Sequence, residues 1–222
     1  QPGIYTNIRA LLTMHGIESN PGPTLTKPIA IAHVNINSIT AENKIDELEQ
    51  LIETNNIHIL ALTETKLDET VAASQYAIHD FHPPITKNRT RHGGGVALYV
   101  HKSLPVQRLQ HIDIGNEEWI WAKIKINNHI VIVNCVYIPP HMASDRLNTF
   151  LDNFTEATCM AQALAPTAII TLGDFNAGNI YLNHSFIRHS GITPFDHKLK
   201  ETAETLDLNQ IIREPTRTTN DV

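Results

Sequence analysis

Cysteine, positive charge and long apolar runs are all scarce in this sequence. Its 222 residues include two cysteines, Cys135 in a strand-like run and Cys159 in a helix-like run. Neither has a CxxC partner, so we expect no structural zinc site and interpret both as buried, reduced thiols. No apolar run approaches the roughly 20 residues that a spanning helix needs, and no secretory signal pattern is present. We therefore expect a soluble intracellular protein, nuclear and cytoplasmic, without a membrane partner.

The charge balance is acidic, which weakens but does not exclude a nucleic-acid substrate. Seventeen Lys and Arg residues against 23 Asp and Glu residues give a formal net charge of −6, whereas strong nucleic-acid binders are more often basic. A nuclease site needs acids for its metal, and a bound cation reverses the local sign. With 41% hydrophobic and 18% charged residues, the chain is not of the disordered type and has enough apolar residues for one sizeable core.

The chain divides into a short N-terminal segment, residues 1–27, and a domain over residues 28–222. In the N-terminal segment, residues 4–14 are predicted as a short helix. The run NPGP at residues 20–23 must end it, because proline lacks the backbone donor and glycine frees the backbone.

Within the domain, apolar strands alternate with amphipathic helices. The patterns predict helices at 41–54, with Thr40 as N-cap, at 145–164 and at 195–206. They predict strands at 29–36, 57–62, 96–100, 119–126, 130–138 and 168–172, of which the fourth and fifth form a hairpin. This mixture of hairpins and helical crossovers indicates an α/β protein with paired sheets inside and helices outside.

Polar side chains cluster at the ends of these predicted strands. They are Asn35, Asn37, Glu64, Tyr137, Asp174 and Asn176. Strand ends are rigid platforms for active sites, and this set of hard oxygen ligands suits magnesium or manganese rather than zinc. Each residue alone has a structural alternative: Asp174 and Asn176 in a turn, Tyr137 in the core, Asn35 bonded to backbone, and Glu64 solvated.

Four motifs resemble those of the endonuclease/exonuclease/phosphatase (deoxyribonuclease I-like) superfamily, in the family's order. They are HVNINSI at residues 33–39, LTET at 62–65, NCVYIPP at 134–140 and GDFN at 173–176. Two further runs, RTRHGGGVA at 89–97 and EPTR at 214–217, resemble the endonuclease domains of LINE-type non-LTR retrotransposons. The resemblance implies a two-sheet α/β sandwich with four layers, α-β-β-α.

The resemblance also implies a role for each strand-end residue. Glu64 would be the principal ligand of Mg²⁺ (or Mn²⁺), and Asp174 would orient or deprotonate the attacking water. Asn35 and Asn176 would hold the scissile phosphate and the metal environment. Tyr137 would donate a hydrogen bond to the charge that develops on the phosphorane.

Two expected substrate contacts and one departure complete the comparison of motifs. Asn37 and Thr216 would contact substrate phosphate. The family pattern continues with a further aspartate and a Ser-Asp-His motif, which the 222 residues do not contain. We therefore expect a domain truncated at its C-terminus, with an incomplete sandwich, open sheet edges and absent or impaired activity.

The implied function is metal-dependent nicking of DNA to prime retrotransposition, with a reverse transcriptase domain in the full-length parent. One alternative is a degenerate or domesticated remnant with a non-catalytic binding role. Another is a different branch of the superfamily, a repair endonuclease or a phosphatase. The run HGIESNPGP at residues 15–23 resembles the 2A-like peptides that interrupt translation, here between Gly22 and Pro23, although Gly16 stands where that family usually has aspartate.

Overall fold

The computed structural model describes residues 28–140, 142–177 and 193–212, together with the backbone of Leu12–Met14. The 2A-like run and Thr216 lie outside these residues. Among the helices that the described part of the chain forms, none combines the length and apolar character needed to cross a membrane.

The first sheet has five strands in the order β1-β2-β3-β5-β4. The strands are β1 Leu12–Met14, β2 Ile29–Asn35, β3 Ile57–Thr63, β4 Ile85–Lys87 and β5 Val96–Val100. Strands β2 and β3 are parallel and are connected by helix α1, Lys44–Asn55. Strand β5 pairs antiparallel with both β3 and β4.

The second sheet has four strands in the order β6-β7-β8-β9. The strands are β6 Val106–Arg108, β7 Trp119–Ile126, β8 His129–Tyr137 and β9 Ala168–Asp174. Strands β7 and β8 form the predicted hairpin, and β8 and β9 run parallel around helix α2, Ser144–Ala163. Helix α3, Pro194–Thr205, packs beside α2.

Three apolar clusters stack these elements into four layers. The first fills the space between the sheets with alternate residues of their strands, such as Ile31 of β2 and Val133 of β8. The second lies between the first sheet and α1, and the third lies between the second sheet and helices α2 and α3. The predicted four-layer α-β-β-α sandwich is therefore confirmed.

The third cluster is built largely from aromatic rings. Trp119 and Trp121 lie two residues apart on the same face of β7, the face away from the first sheet, and both are fully buried. They meet Phe150 and Phe154, which lie four residues apart on one face of α2; the Trp119 and Phe150 ring centroids are 5.4 Å apart. Truncating such a buried ring costs about 3–5 kcal/mol, so this contact holds α2 firmly over the sheet.

Most predicted elements have the observed bounds within one to three residues, and three expectations are wrong. Helix α1 does not use Thr40 as its cap; it begins after Asn43, whose left-handed backbone (φ 62°) ends a preceding turn. Leu12–Met14, the last three residues of the helix expected at 4–14, instead form a strand that pairs with β2, and residues 4–11 lie outside the described residues. Cys135 is buried but Cys159 is exposed, since it lies on the face of α2 away from the sheet.

Candidate active site

The candidate site lies where the apolar layer between the sheets ends and becomes polar. Asn35, Tyr137 and Asp174 are the last residues of β2, β8 and β9. Each lies in phase with the inward-facing apolar residues of its strand, for example two residues beyond Cys135 or Leu172. Strands β8 and β9 are parallel, and their register places Tyr137 directly beside Asp174. The alternation that builds the core therefore also directs these three side chains into one place.

The Glu64 side chain reaches the same site from a turn rather than from the end of a strand. The residue follows β3 directly and has a left-handed conformation, with φ 54°, which is unfavourable for a residue with a side chain. Its carbonyl accepts the Ser38 N–H at 2.8 Å, and the next amide, Thr65 N–H, donates to the Gly95 carbonyl at 3.2 Å. These bonds hold the turn that aims the carboxylate at the site.

One amide group joins the two carboxylates. Asn35 Nδ2 donates to Glu64 Oε1 at 2.8 Å and to Asp174 Oδ2 at 3.2 Å. The two acceptor oxygens are therefore at most about 6 Å apart, the sum of these lengths. The Tyr137 hydroxyl donates to the same Glu64 oxygen at 3.3 Å. The side chains of four of the six strand-end residues thus form one hydrogen-bonded cluster.

Asn176 supports this cluster through backbone contacts. Its N–H donates to Asp174 Oδ1 at 3.0 Å, and its side-chain Nδ2 donates to the Ile138 carbonyl at 2.7 Å. The Asn176 N–H therefore fixes the second carboxylate oxygen of Asp174. Residues 173–176 thus form a turn and at the same time position a site residue. Asn37 lies at the exposed rim, where its Oδ1 accepts from Lys66 Nζ at 2.5 Å.

Gly173 explains why the last motif begins with glycine. Its φ is 153°, and a Cβ at this position would lie 1.9 Å from the Val136 carbonyl oxygen. Only glycine allows β9 to approach β8 this closely, and this approach places Asp174 beside Tyr137.

The electrostatics keep the tyrosine protonated. Burial raises the pKa of Tyr137 well above its usual range, and the carboxylates of Glu64, Asp174 and Glu118 raise it further. A phenol beside this much negative charge remains a hydrogen-bond donor at neutral pH. It cannot serve as a base there.

His33 lies one inward-facing position before Asn35 on β2. Its Nε2 is 3.1 Å from Thr63 Oγ1. Burial lowers its pKa to about 4, and the charge of Asp174 opposes this shift only partly. The ring is therefore neutral at pH 7. Sequence reasoning did not select His33, although it lies in the first motif and in phase with Asn35.

Sequence reasoning also left out Glu118. Glu118 precedes β7 and accepts the Gly95 N–H at 2.6 Å; its sequence position alone gave no signal for this contact. Another acidic residue, Asp196, has a structural role instead: it is the third residue of α3 and forms a capping box with Thr193.

The donor set fits a magnesium-type cation. Within the described residues, no group of three or more histidine, cysteine, aspartate or glutamate side chains is close enough to enclose a metal. The site offers instead two carboxylates as cation ligands, and Asn35 Nδ2 and the Tyr137 hydroxyl face them as hydrogen-bond donors. Magnesium commonly takes one or two carboxylates and completes its shell with waters and substrate phosphates.

Comparison with known families agrees with the motifs and the fold. The sequence matches the Endonuclease/Exonuclease/phosphatase family over residues 32–206, which contain Asn35, Glu64, Tyr137, Asp174 and Asn176. The chain belongs to this family. No protein of curated function matches the sequence.

Solved structures with the same fold include several enzymes that act on nucleic acids. The endonuclease domain of TRAS1, a telomere-specific non-LTR retrotransposon, has a TM-score of 0.60 at 15% identity and covers 82% of this chain and 74% of its own. The AP endonuclease LMAP from Leishmania major has a TM-score of 0.63 at 14% identity, covering 91% and 73%. The 3' phosphatase NExo from Neisseria, bound to a product DNA hairpin, has a TM-score of 0.55 at 17% identity, covering 79% and 70%. At these low sequence identities, the likeness to the three structures shows a shared fold.

Proposed function

We propose that this family member hydrolyses DNA phosphodiester bonds with a divalent cation, Mg²⁺ or Mn²⁺, as the endonuclease of a non-LTR retrotransposon. The observation that carries the proposal is the amide of Asn35 held between the carboxylates of Glu64 and Asp174, with the Tyr137 hydroxyl on the same Glu64 oxygen. Carboxylates that can hold a divalent cation, with fixed hydrogen-bond donors beside them, suit the charge that develops in phosphoryl transfer to water.

Each side chain has a separate task in this proposal. Glu64 is the principal metal ligand, and Asp174 orients the attacking water and accepts its proton. Asn176 holds the Asp174 carboxylate in its turn. The protonated Tyr137 and the Asn35 amide donate to the phosphoryl oxygens as negative charge develops. A bound divalent cation adds Lewis-acid stabilisation of that charge.

The retrotransposon assignment is supported by sequence rather than by fold. The runs at residues 89–97 and 214–217 resemble the LINE-type branch, whereas the TM-scores to TRAS1 and to the Leishmania major enzyme are nearly equal. In this proposal Asn37 and Thr216 contact substrate phosphate, and a reverse transcriptase domain belongs to the full-length parent.

The sequence contains no Ser-Asp-His motif, so we expect the 222 residues to bind the cation but to nick DNA slowly. Removing one transition-state contact of this kind typically lowers the rate by roughly 10²–10³. The alternative, a non-catalytic binding role, predicts no metal-dependent nicking at any enzyme concentration.

The test is nicking of supercoiled plasmid with and without Mg²⁺. The proteins compared are the 222-residue chain, its Glu64→Ala variant, and Glu69→Ala as an exposed acidic control five residues away. We expect slow, Mg²⁺-dependent nicking that Glu64→Ala abolishes and Glu69→Ala retains. Equal nicking by the Glu64→Ala variant would falsify the metal-ligand role.

A second substrate separates the branches of the family. A duplex oligonucleotide with one abasic site is compared with the same duplex without it. We expect both to be cut at similar rates. A strong preference for the abasic site would instead assign the chain to the repair branch.

A further inference from the structure

Glu118 lies between the two sheets at the edge of the site and belongs to neither. It directly precedes β7 and is only 16% exposed. Its carboxylate has two partners on the loop before β5: Gly95 N–H donates to Oε2 at 2.6 Å, and Arg89 Nη1 donates to Oε1 at 2.9 Å. A charged side chain this well buried, with a backbone amide as donor, is held in one position.

The main chain of Glu118 contacts the opposite half of the site. Its carbonyl accepts the N–H of Tyr137 at 2.9 Å. One residue therefore binds the strand that carries the phenol through its backbone and binds the Gly95 loop through its side chain. That strand, β8, belongs to the second sheet, whereas the loop leads into β5 of the first sheet.

The Gly95 loop in turn supports the turn at Glu64. The Gly95 carbonyl accepts Thr65 N–H at 3.2 Å, and the Gly94 carbonyl accepts Lys66 N–H at 2.9 Å. Both Glu64 and Lys66 have positive φ, 54° and 53°. Such a backbone is strained for a residue with a side chain and persists only where neighbouring contacts enforce it.

The glycines of this loop are required by the same contacts. A Cβ on Gly94 would lie 2.3 Å from Glu118 Oε2, and one on Gly95 would lie 2.6 Å from Thr65 Oγ1. The triple glycine of the sequence thus allows the Glu118 carboxylate on one side, and the Glu64 turn on the other, to approach the loop closely.

We propose that Glu118 is a positioning residue that sets the Glu64 carboxylate against the Tyr137 hydroxyl. It acts through an unbroken series of hydrogen bonds, from Tyr137 through Glu118 and Gly95 to Thr65. It does not touch the substrate. The inference deepens the proposed function, and its positioning element can be measured without catalysis.

The experiment measures amide hydrogen exchange in the 222-residue chain. The variants are Glu118→Ala, Glu118→Gln, and Glu49→Ala as a matched control, since the Glu49 carboxylate also accepts a distant backbone N–H, that of His79 at 3.2 Å. A hydrogen bond to a charged group contributes enough that its loss should speed exchange at Thr65 and Lys66 at least about tenfold in Glu118→Ala. Glu118→Gln keeps an oxygen for Gly95 and should recover most of the protection.

The site of faster exchange decides the outcome. Acceleration at residues 64–66 with little change at Val133 in the buried centre of β8 supports positioning. Acceleration by the same factor at both places, or none at residues 64–66, overturns it. Glu49→Ala should leave residues 64–66 unchanged.

Titration with Mn²⁺ provides a second readout. We expect Glu118→Ala to weaken Mn²⁺ binding about tenfold and Glu118→Gln to restore it. If the parent chain binds no Mn²⁺ at Glu64, the proposed function fails while the exchange result still decides the role of Glu118. If the parent binds Mn²⁺ and Glu118→Ala binds it equally well, the positioning role fails while the proposed function stands.

Discussion

Replacing Glu64 with glutamine should change stability little without a divalent cation and lower it clearly when one is bound. Glu64 and Asp174 have acceptor oxygens within about 6 Å of each other. At an effective dielectric constant of 20, that repulsion is about 3 kcal/mol, and partial exposure screens it to about 1–2 kcal/mol. Glutamine weakens the bonds from Asn35 and Tyr137 by about 1 kcal/mol. In metal-free buffer, Glu64→Gln should therefore unfold within about 1 kcal/mol of the parent chain or be slightly more stable.

With a bound cation, the parent chain should be clearly more stable than Glu64→Gln. At a Mn²⁺ concentration 100 times the Kd, binding stabilises the native parent by about 2.7 kcal/mol. For a chain of 222 residues, this corresponds to a Tm increase of about 5–10 °C. Glu64→Gln should show almost none of that increase, and Glu69→Gln should show all of it. Thermal unfolding in EDTA and in Mn²⁺ measures both quantities.

Two results would refute this reasoning. A metal-free loss of more than about 2 kcal/mol in Glu64→Gln would mean that the carboxylate is mainly structural. An equal Mn²⁺ shift in the parent and in Glu64→Gln would mean that the cation binds elsewhere.

Three further substitutions test the framework around the site. Gly173→Ala places a Cβ 1.9 Å from the Val136 carbonyl and should destabilise the fold by about 2–3 kcal/mol in urea unfolding; a loss under about 0.5 kcal/mol would contradict the close approach. The pKa of His33 is lowered from 6.5 to about 4, so the unfolded chain takes up this proton first, and stability should fall by up to about 3 kcal/mol as pH drops from 6.5 to 4. The difference in unfolding free energy between His33→Asn and the parent should change over that pH window, and a constant difference would contradict the assignment. Arg146 binds the buried Glu117 carboxylate through its two terminal nitrogens, Nη1 and Nη2. Arg146→Met should lower the free energy of unfolding by about 2–3 kcal/mol, and adding Glu117→Leu should restore much of that loss. Additive losses in a double-mutant cycle would contradict coupling between the two residues.

The strands and helices with strong apolar periodicity were predictable from the sequence. Trp119–Ile126 is rich in aromatic and β-branched residues and was predicted to the residue, as was Val96–Val100. Ile85–Lys87 and Val106–Arg108 were missed because three residues are too few for an alternating pattern. The Thr40 cap failed because a turn at Asn43 took its place.

The candidate site was predictable in its members but not in its contacts. Period-two alternation carried Tyr137 and Asp174 to one edge of the second sheet, and the motifs named both. The bonds of Asn35 to Glu64 and Asp174 span 29 and 139 residues, and they depend on the packing of one sheet against the other. Glu118 was missed for the same reason, because its importance comes from a loop that the fold brings to it.

We expect one divalent cation to bind Glu64 beside Asp174, within the cluster that Asn35 and Tyr137 complete as hydrogen-bond donors. The most direct measurement is an anomalous difference map from a crystal of this chain soaked in Mn²⁺. We expect one dominant peak within about 2.5 Å of a Glu64 carboxylate oxygen, on the side that faces Asp174, and the loss of this peak in Glu64→Gln. Mn²⁺ peaks that all lie away from Glu64, or a peak at this place that persists in Glu64→Gln, would contradict it.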